Sequence, residues 1–280
     1  MADGEIAAAH PAAGRSRTSI ARIAGGGLAV AAVLTLLALV PILAGVRADF
    51  APWVPVTPGQ SDAASFDRIA FALLSGLGSG VGLVAITGAA VIVLIAAGRR
   101  SDAAFVGIAV FGAVIVSRAF KYYYHAPRPW PDVSVASSIG FADAVVAVAV
   151  GVVIAVALLV RWHRWVIGAA AVAAAAAALE AVAGALMPLT TGFDAFPSGH
   201  AIFSMTLASA AVQLAWASGR ARLPVLAVAA LYVLGVGLSR VYLRAHFPAD
   251  VVAGWCVALA WTIGLRLVWV ALERWGRLRA

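Results

Sequence analysis

The sequence reads as an all-α protein, a polytopic transmembrane bundle of about eight helices, and three observations lead there. The 280 residues are 64% hydrophobic and 11% charged, with a mean hydropathy of +1.00, whereas soluble domains are roughly 45–50% apolar and about 25% charged. The apolar residues are gathered into runs close to the length a helix needs to cross a hydrocarbon core about 30 Å thick. The basic residues fall in twos and threes at the ends of those runs. The formal charge of +8 is therefore a set of topology signals, and a nucleic-acid partner is not expected, since that would call for a longer basic block. The single Cys256 has no partner for an internal disulfide, so helix packing must hold the fold.

In chain order, residues 1–22 are polar, Arg-containing and rich in Ala and Gly, and form a predicted N-terminal tail. The run Ile23–Val46 is too long for a signal-peptide core and lacks a convincing cleavage site, which makes it the first span. The Pro-containing stretch after it, with Trp53, is expected to be extended and anchored at the interface. Further spans are predicted at Ile69–Ala97, Ala103–Phe120, Ala142–Val160, Trp165–Met187, His200–Ser218, Leu223–Ser239 and Val251–Val270. Several are rich in Ala and Gly, which lets helices approach closely in lipid. Residues 23–273 then make one transmembrane domain, and 274–280 a short C-terminal tail; no short-period repeat or soluble domain boundary interrupts them.

Counting arginines orients the bundle. Arg15, Arg17 and Arg22 precede the first span, Arg99 and Arg100 link the second and third, and Arg161 and Arg164 link the fourth and fifth. Arg220 and Arg222 link the sixth and seventh, and Arg274, Arg277 and Arg279 follow the eighth. With an even number of spans all these segments share one side, which the positive-inside rule makes cytoplasmic, together with both termini. The loops at 121–141, 188–199 and 240–250 fall on the extracytoplasmic side and hold most of the unusual polar chemistry.

The first of these loops carries Lys121 and Arg128, two helical turns apart, so both can share one face until Pro127 and Pro129 end the helix. Snorkelling at a span end would also accommodate them. Lys121 is nevertheless the one lysine beside nineteen arginines, and a compact ammonium differs physically from a guanidinium fork. In the second loop, Pro197-Ser198-Gly199-His200 opens an apolar helix. Ser198 suits an N-cap, Gly199 permits close backbone approach, and the first-turn amides favour an anion. Taken alone, that fragment also fits an ordinary capped helix start. In the third loop, Arg240 offers a fork matched to phosphate oxygens, while His246 and Asp250 suit a nucleophile and its orienting carboxylate. Pro248 between them is expected at the first helical position, with His246 just outside. Read singly, Arg240, Arg244, His246 and Asp250 also fit ordinary interfacial residues.

Together the pattern Lys-x6-Arg-Pro, Pro-Ser-Gly-His and Ser-Arg-x5-His-x3-Asp resembles that of the type 2 phosphatidic acid phosphatase (PAP2) superfamily. Lys121, Arg128, Pro129, Pro197, Ser198, Gly199, His200, Ser239, Arg240, His246 and Asp250 fill every motif position. The resemblance covers residues 121–250 and implies a six-helix core and a covalent mechanism. His246 attacks phosphorus, Asp250 fixes its tautomer, and His200 protonates the departing oxygen and then activates water. Lys121, Arg128, Ser198, Gly199 and Arg240 bind the phosphate, with no metal and no cofactor.

The 67 residues between Pro129 and Pro197 exceed the usual family interval and contain two extra spans, an even number that returns Pro-Ser-Gly-His to the original face. Glu180 lies deep in one of them and is expected to pair within the bundle, with Arg118 as a candidate partner. Arg118, His125, Asp132, Asp194 and Arg244 are expected to line the entrance, outside the catalytic set. The implied function is hydrolysis of a lipid phosphate or diphosphate. Undecaprenyl or another polyprenyl diphosphate stands first, then phosphatidylglycerol phosphate, phosphatidate or a phosphorylated polyprenyl sugar. A lipid phosphotransferase using the same phosphohistidine, and a non-enzymatic lipid transporter, are the alternatives. The sequence leaves oligomeric state open.

Overall fold

A computed structural model describes residues 66–129, 185–187, 194–219 and 221–277. Six helices account for nearly all of them: α1 Phe66–Leu77, α2 Gly80–Ala96, α3 Arg100–Tyr124, α4 Gly199–Ser218, α5 Arg222–Tyr242 and α6 Pro248–Arg277. No strand occurs among the described residues. Four helices, α3 to α6, are long and apolar enough to cross a membrane, and the bent pair α1–α2 makes a fifth if it counts as one span. The predicted spans at 23–46 and 142–160, most of the one at 165–187, and with them Glu180 and Asp132, lie outside the described residues.

Side-chain size is distributed as lipid solvent requires. The buried core is dominated by alanine, including Ala109, Ala113, Ala201, Ala210, Ala253 and Ala258, with Ser204, Thr206 and Thr262 among the buried polar residues. Large apolar residues such as Leu223, Val228, Leu231, Val93 and Leu238 face outward. A soluble bundle would bury those and expose charge, whereas hydrocarbon gives no reason to hide a leucine, and small residues let helix backbones pack closely. α4 sits in the middle, against α2, α3, α5 and α6. Its buried residues run around the helix from Ala201 and Ile202 to Ser209, Ala210 and Leu214, as expected of a helix enclosed on all sides. Some of the polar groups within are paired: the Ser209 and Thr262 hydroxyls are 2.8 Å apart across α4 and α6, and Trp261 donates to the Ala109 carbonyl at 2.7 Å.

Helix ends follow local chemistry. Pro248 opens α6, where its missing N–H costs nothing. Asp102 lies in the first turn of α3 and pairs with Arg99 at 2.7 Å, a favourable sign for a helix N-terminus. α3 ends at Tyr124, with His125 left-handed at φ 44° and ψ 44°. The shared helical face expected for Lys121 and Arg128 therefore does not form. The helix ends before Arg128, and the two cations meet instead at Asp194.

The span expected as one helix over Ile69–Ala97 is broken and bent by 53°. Gly76, Gly78, Ser79 and Gly80 supply few side chains to hold it straight, and the freed polar groups find partners. The Ser79 hydroxyl donates to the Gly76 carbonyl at 2.8 Å and accepts from Gly82 N–H at 3.2 Å. Tyr232 on α5 donates to the Leu77 carbonyl at 2.9 Å. Irregular backbone at membrane depth is tolerated where protein satisfies it in this way. Gly78 is required sterically, because a Cβ there would collide with the Val236 side chain and lie 3.4 Å from His200. Replacing Gly78 with valine should destabilise the bundle by about 1–3 kcal/mol through overpacking, measured as a lower melting temperature of the detergent-solubilised protein against wild type.

Candidate functional site

The three motif-bearing loops come together at one end of the bundle: the C-terminal end of α3, the start of α4, and the turn between α5 and α6. Backbone hydrogen bonds knit them. Ala195 N–H donates to the Ala126 carbonyl at 3.0 Å, tying the second loop to the first. Ser198 N–H donates to the Asp250 carbonyl at 3.0 Å, tying it to the third. Phe196, fully buried, packs edge-on against Tyr124 with ring centroids 5.4 Å apart, so the loop leading into α4 is anchored on α3 by a large apolar contact.

On this frame Ser198 stands at the cap position of α4, but its side chain makes no capping hydrogen bond. The expected cap is thus a positional one. The hydroxyl is buried and has no hydrogen-bond partner among the described residues, and the same holds for His200 Nε2. Buried polar groups in native proteins are normally paired, so both atoms are suited to a ligand. Gly199 earns its place by close approach, since a Cβ there would stand 3.3 Å from Ser117 Oγ and 3.5 Å from Lys121 Nζ.

His246 lies outside the helix, as its position before Pro248 foretold. Its Nδ1 is 3.7 Å from Asp250 Oδ2, with both side chains essentially inaccessible. At that distance the pair is a charge contact and not a hydrogen bond; such contacts are often long without substrate. The same carboxylate oxygen accepts Phe247 N–H at 3.0 Å, reaching back over the first turn of α6 as a capping-box residue does. The His246 pKa is held well below the ordinary histidine value. Burial is the main cause, aided by the charges of Arg240, Arg128 and Lys121, while a hydrogen bond with the Ala195 backbone acts in the opposite sense.

Arg240, 1% exposed in the last turn of α5, hydrogen-bonds through Nη1 to Ser75 on α1. Its carbonyl accepts Ala245 and His246 N–H at 3.0 and 3.3 Å, which shapes the turn that delivers the imidazole. Arg244, left-handed at φ 55°, completes that turn. Arg128 and Lys121 converge on Asp194. The guanidinium meets both carboxylate oxygens, Nε to Oδ1 at 2.9 Å and Nη2 to Oδ2 at 3.0 Å, and Lys121 Nζ lies 3.8 Å from Oδ2. Burial alone would raise the Asp194 pKa, but the Arg128 hydrogen bond and the charges of Lys121, Arg128 and His246 outweigh it and keep the group below the usual carboxylate value.

All eight residues expected to act on or hold phosphate thus belong to one cluster. His200 lies within electrostatic reach of Arg240, His246, Lys121 and Arg128, and the other contacts are those above. Two participants escaped the sequence reading: Ser75 and Ser117 carry no motif, and only packing brings them in. Asp194, expected at the entrance, stands partly exposed at the mouth of the cluster, where it meets Arg128 and Lys121. Arg118 donates to the Met187 carbonyl at 3.0 Å; its expected pairing with Glu180 falls outside the described residues.

The depressed His246 pKa has a definite sign. The imidazole stays neutral to lower pH than a free histidine, so its 15N or 13C resonances should titrate with a midpoint below about 6.5, measured in detergent micelles with His246→Gln used for assignment. A midpoint at or above that value would contradict the burial and charge described here.

A family model described as the PAP2 superfamily matches residues 102–274, more than half of the chain. Phosphatidylglycerophosphatase B of Escherichia coli K12 is 37% identical over 81 residues, which is 29% of this chain and 30% of that protein. The proteins of the same name from Escherichia coli O157:H7 and Shigella flexneri match to the same extent. The matched segment is therefore less than a third of the length of these relatives. No solved structure matches the chain.

Proposed function

This chain belongs to the PAP2 superfamily, and we propose that it is an integral membrane phosphatase that hydrolyses a lipid phosphate or diphosphate through a phosphohistidine. The observation that carries the reading is the meeting of Lys121, Arg128, Arg240, His200 and the His246–Asp250 pair at one end of an apolar helix bundle. Nδ1 of His246 is the nitrogen facing Asp250, 3.7 Å from its Oδ2, so we take Nε2 as the nucleophile. Its attack forms the P–N bond as the P–O bond to the lipid breaks, and His200 gives the departing oxygen a proton. Water then attacks the phosphohistidine, His200 takes a proton from it, and inorganic phosphate leaves with His246 restored. Asp250 supports the imidazolium character that develops, as a buried carboxylate beside a histidine does in other covalent mechanisms. Lys121, Arg128, Arg240, the Ser198 hydroxyl and the Gly199 amide hold the oxygens on which charge builds, and preorganised donors of this kind supply the largest share of barrier lowering.

The arginines at Arg99, Arg100, Arg222 and Arg274 lie at the opposite helix ends from the cluster. The positive-inside rule therefore supports an extracytoplasmic site, open sideways to lipids of the outer leaflet. A polyprenyl diphosphate is the first substrate to test, and the name of the bacterial relatives puts phosphatidylglycerophosphate beside it. Purified protein presented with both, and with phosphatidate, should release inorganic phosphate from at least one. His246→Ala should lower kcat by about a thousandfold or more on that lipid, the scale seen when a covalent nucleophile is removed. Full activity in that variant would remove the proposed nucleophile, and orthovanadate should inhibit the wild type competitively.

A further inference from the structure

Lys121 and Arg128, the two cations assigned above to phosphate, already hold an anion in the structure, and it is a side chain of the protein. The Asp194 carboxylate meets the guanidinium edge of Arg128 two oxygens to two nitrogens, at 2.9 and 3.0 Å, and comes within 3.8 Å of Lys121 Nζ. That is the forked geometry in which arginine also takes phosphate. One guanidinium edge cannot serve both acceptors at once. Asp194 and Arg128 are each about a quarter exposed on their side chains, so the pair stands at the mouth of the cluster and not in its sealed interior. The carboxylate also leads by four residues into Ser198, in the segment pinned to Ala126 by the Ala195 hydrogen bond.

We propose that Asp194 is an internal ligand of the phosphate subsite, occupying the Lys121–Arg128 pair at rest, displaced by the substrate phosphate, and returning to expel inorganic phosphate after turnover. The proposal rests on the reading that these two cations bind phosphate. With Asp194 in place, the three cations of the cluster face two carboxylates; with it displaced, they face Asp250 alone, and the net two positive charges match a phosphate dianion. A tethered carboxylate competes at a high effective concentration. It therefore weakens binding of every anion that needs the pair, including the product, which would otherwise be held by three cations and a helix N-terminus.

The test uses the full chain in detergent with Asp194→Asn, which keeps the shape and removes the charge, and Asp194→Ala. Removing a partly exposed ion-paired competitor should tighten inorganic phosphate and orthovanadate by about fivefold, the equivalent of about 1 kcal/mol. The lipid-substrate KM should fall with it, while kcat stays level or falls as product release slows. Adding Arg128→Ala to Asp194→Asn should abolish the gain. Unchanged or weaker binding of phosphate and vanadate in both single variants would overturn the proposal and leave Asp194 as a residue that merely positions Arg128. Phosphate binding read by 31P NMR needs no turnover, so the two readings separate. Tighter phosphate in Asp194→Asn beside a wild type that hydrolyses no lipid phosphate supports the internal ligand and sinks the hydrolase; hydrolysis lost in His246→Ala without tighter binding in the Asp194 variants does the reverse. Should both Asp194 variants misfold, a structure of the wild type with orthovanadate decides: the carboxylate is expected off Arg128, and an intact Asp194–Arg128 pair beside bound vanadate overturns the proposal.

Discussion

The cluster depends on two backbone hydrogen bonds, Ala195 to Ala126 and Ser198 to Asp250. Each spans a large sequence separation, and each joins loops that bear charges of opposite sign. Without them Lys121 and Arg128, and separately Arg240, would sit on helix ends free to relax apart, since like charges gain nothing by approaching. Backbone groups suit this task because they must be satisfied wherever they are buried. The cost of leaving them unpaired beneath the loops holds the cations near one another. The Phe196–Tyr124 contact adds an apolar anchor on the same segment, so the start of α4 is held by hydrogen bonds and by packing together.

Around that junction the chain uses carboxylates sparingly and in distinct ways. Asp250 is fully buried, facing His246 and closing the first turn of α6. Asp194 is partly exposed and meets cations at the rim. The difference in burial sets their surroundings apart: the Asp250 carboxylate is closed off from water beside His246, while the ion pair of Asp194 is partly screened by solvent.

The broken α1–α2 pair links the site to a part of the fold that the family match at 102–274 does not reach. Ser75 supports Arg240, and Gly78 runs against His200 and Val236. An arginine buried to 1% exposure needs such partners, because an uncompensated guanidinium in a low-dielectric interior is costly. The bend therefore does more than shorten a span. It brings irregular, hydrogen-bonded backbone to membrane depth, where it backs His200 and Arg240.

Much of this was written in the amino-acid order. Apolar run length, arginine at run ends and three spaced motifs suffice for an all-helical membrane bundle and for singling out Lys121, Arg128, Ser198, Gly199, His200, Arg240, His246 and Asp250, which the structure gathers at one end, because periodicity, topology charge and motif spacing are local properties of a chain. The start of α6 at Pro248 was legible for the same reason. What local pattern could not supply is contact between distant segments. The bend at Gly78–Ser79 arises because Tyr232 and Val236 on another helix accept it, and the left-handed His125 ends α3 before Arg128 where a continuous helix seemed possible. The Ser198 hydroxyl makes no capping hydrogen bond, and Asp194 at the mouth is held in the grip of Arg128. Each of these depends on which donor lies within about 3 Å of which acceptor, and only the packed bundle decides that.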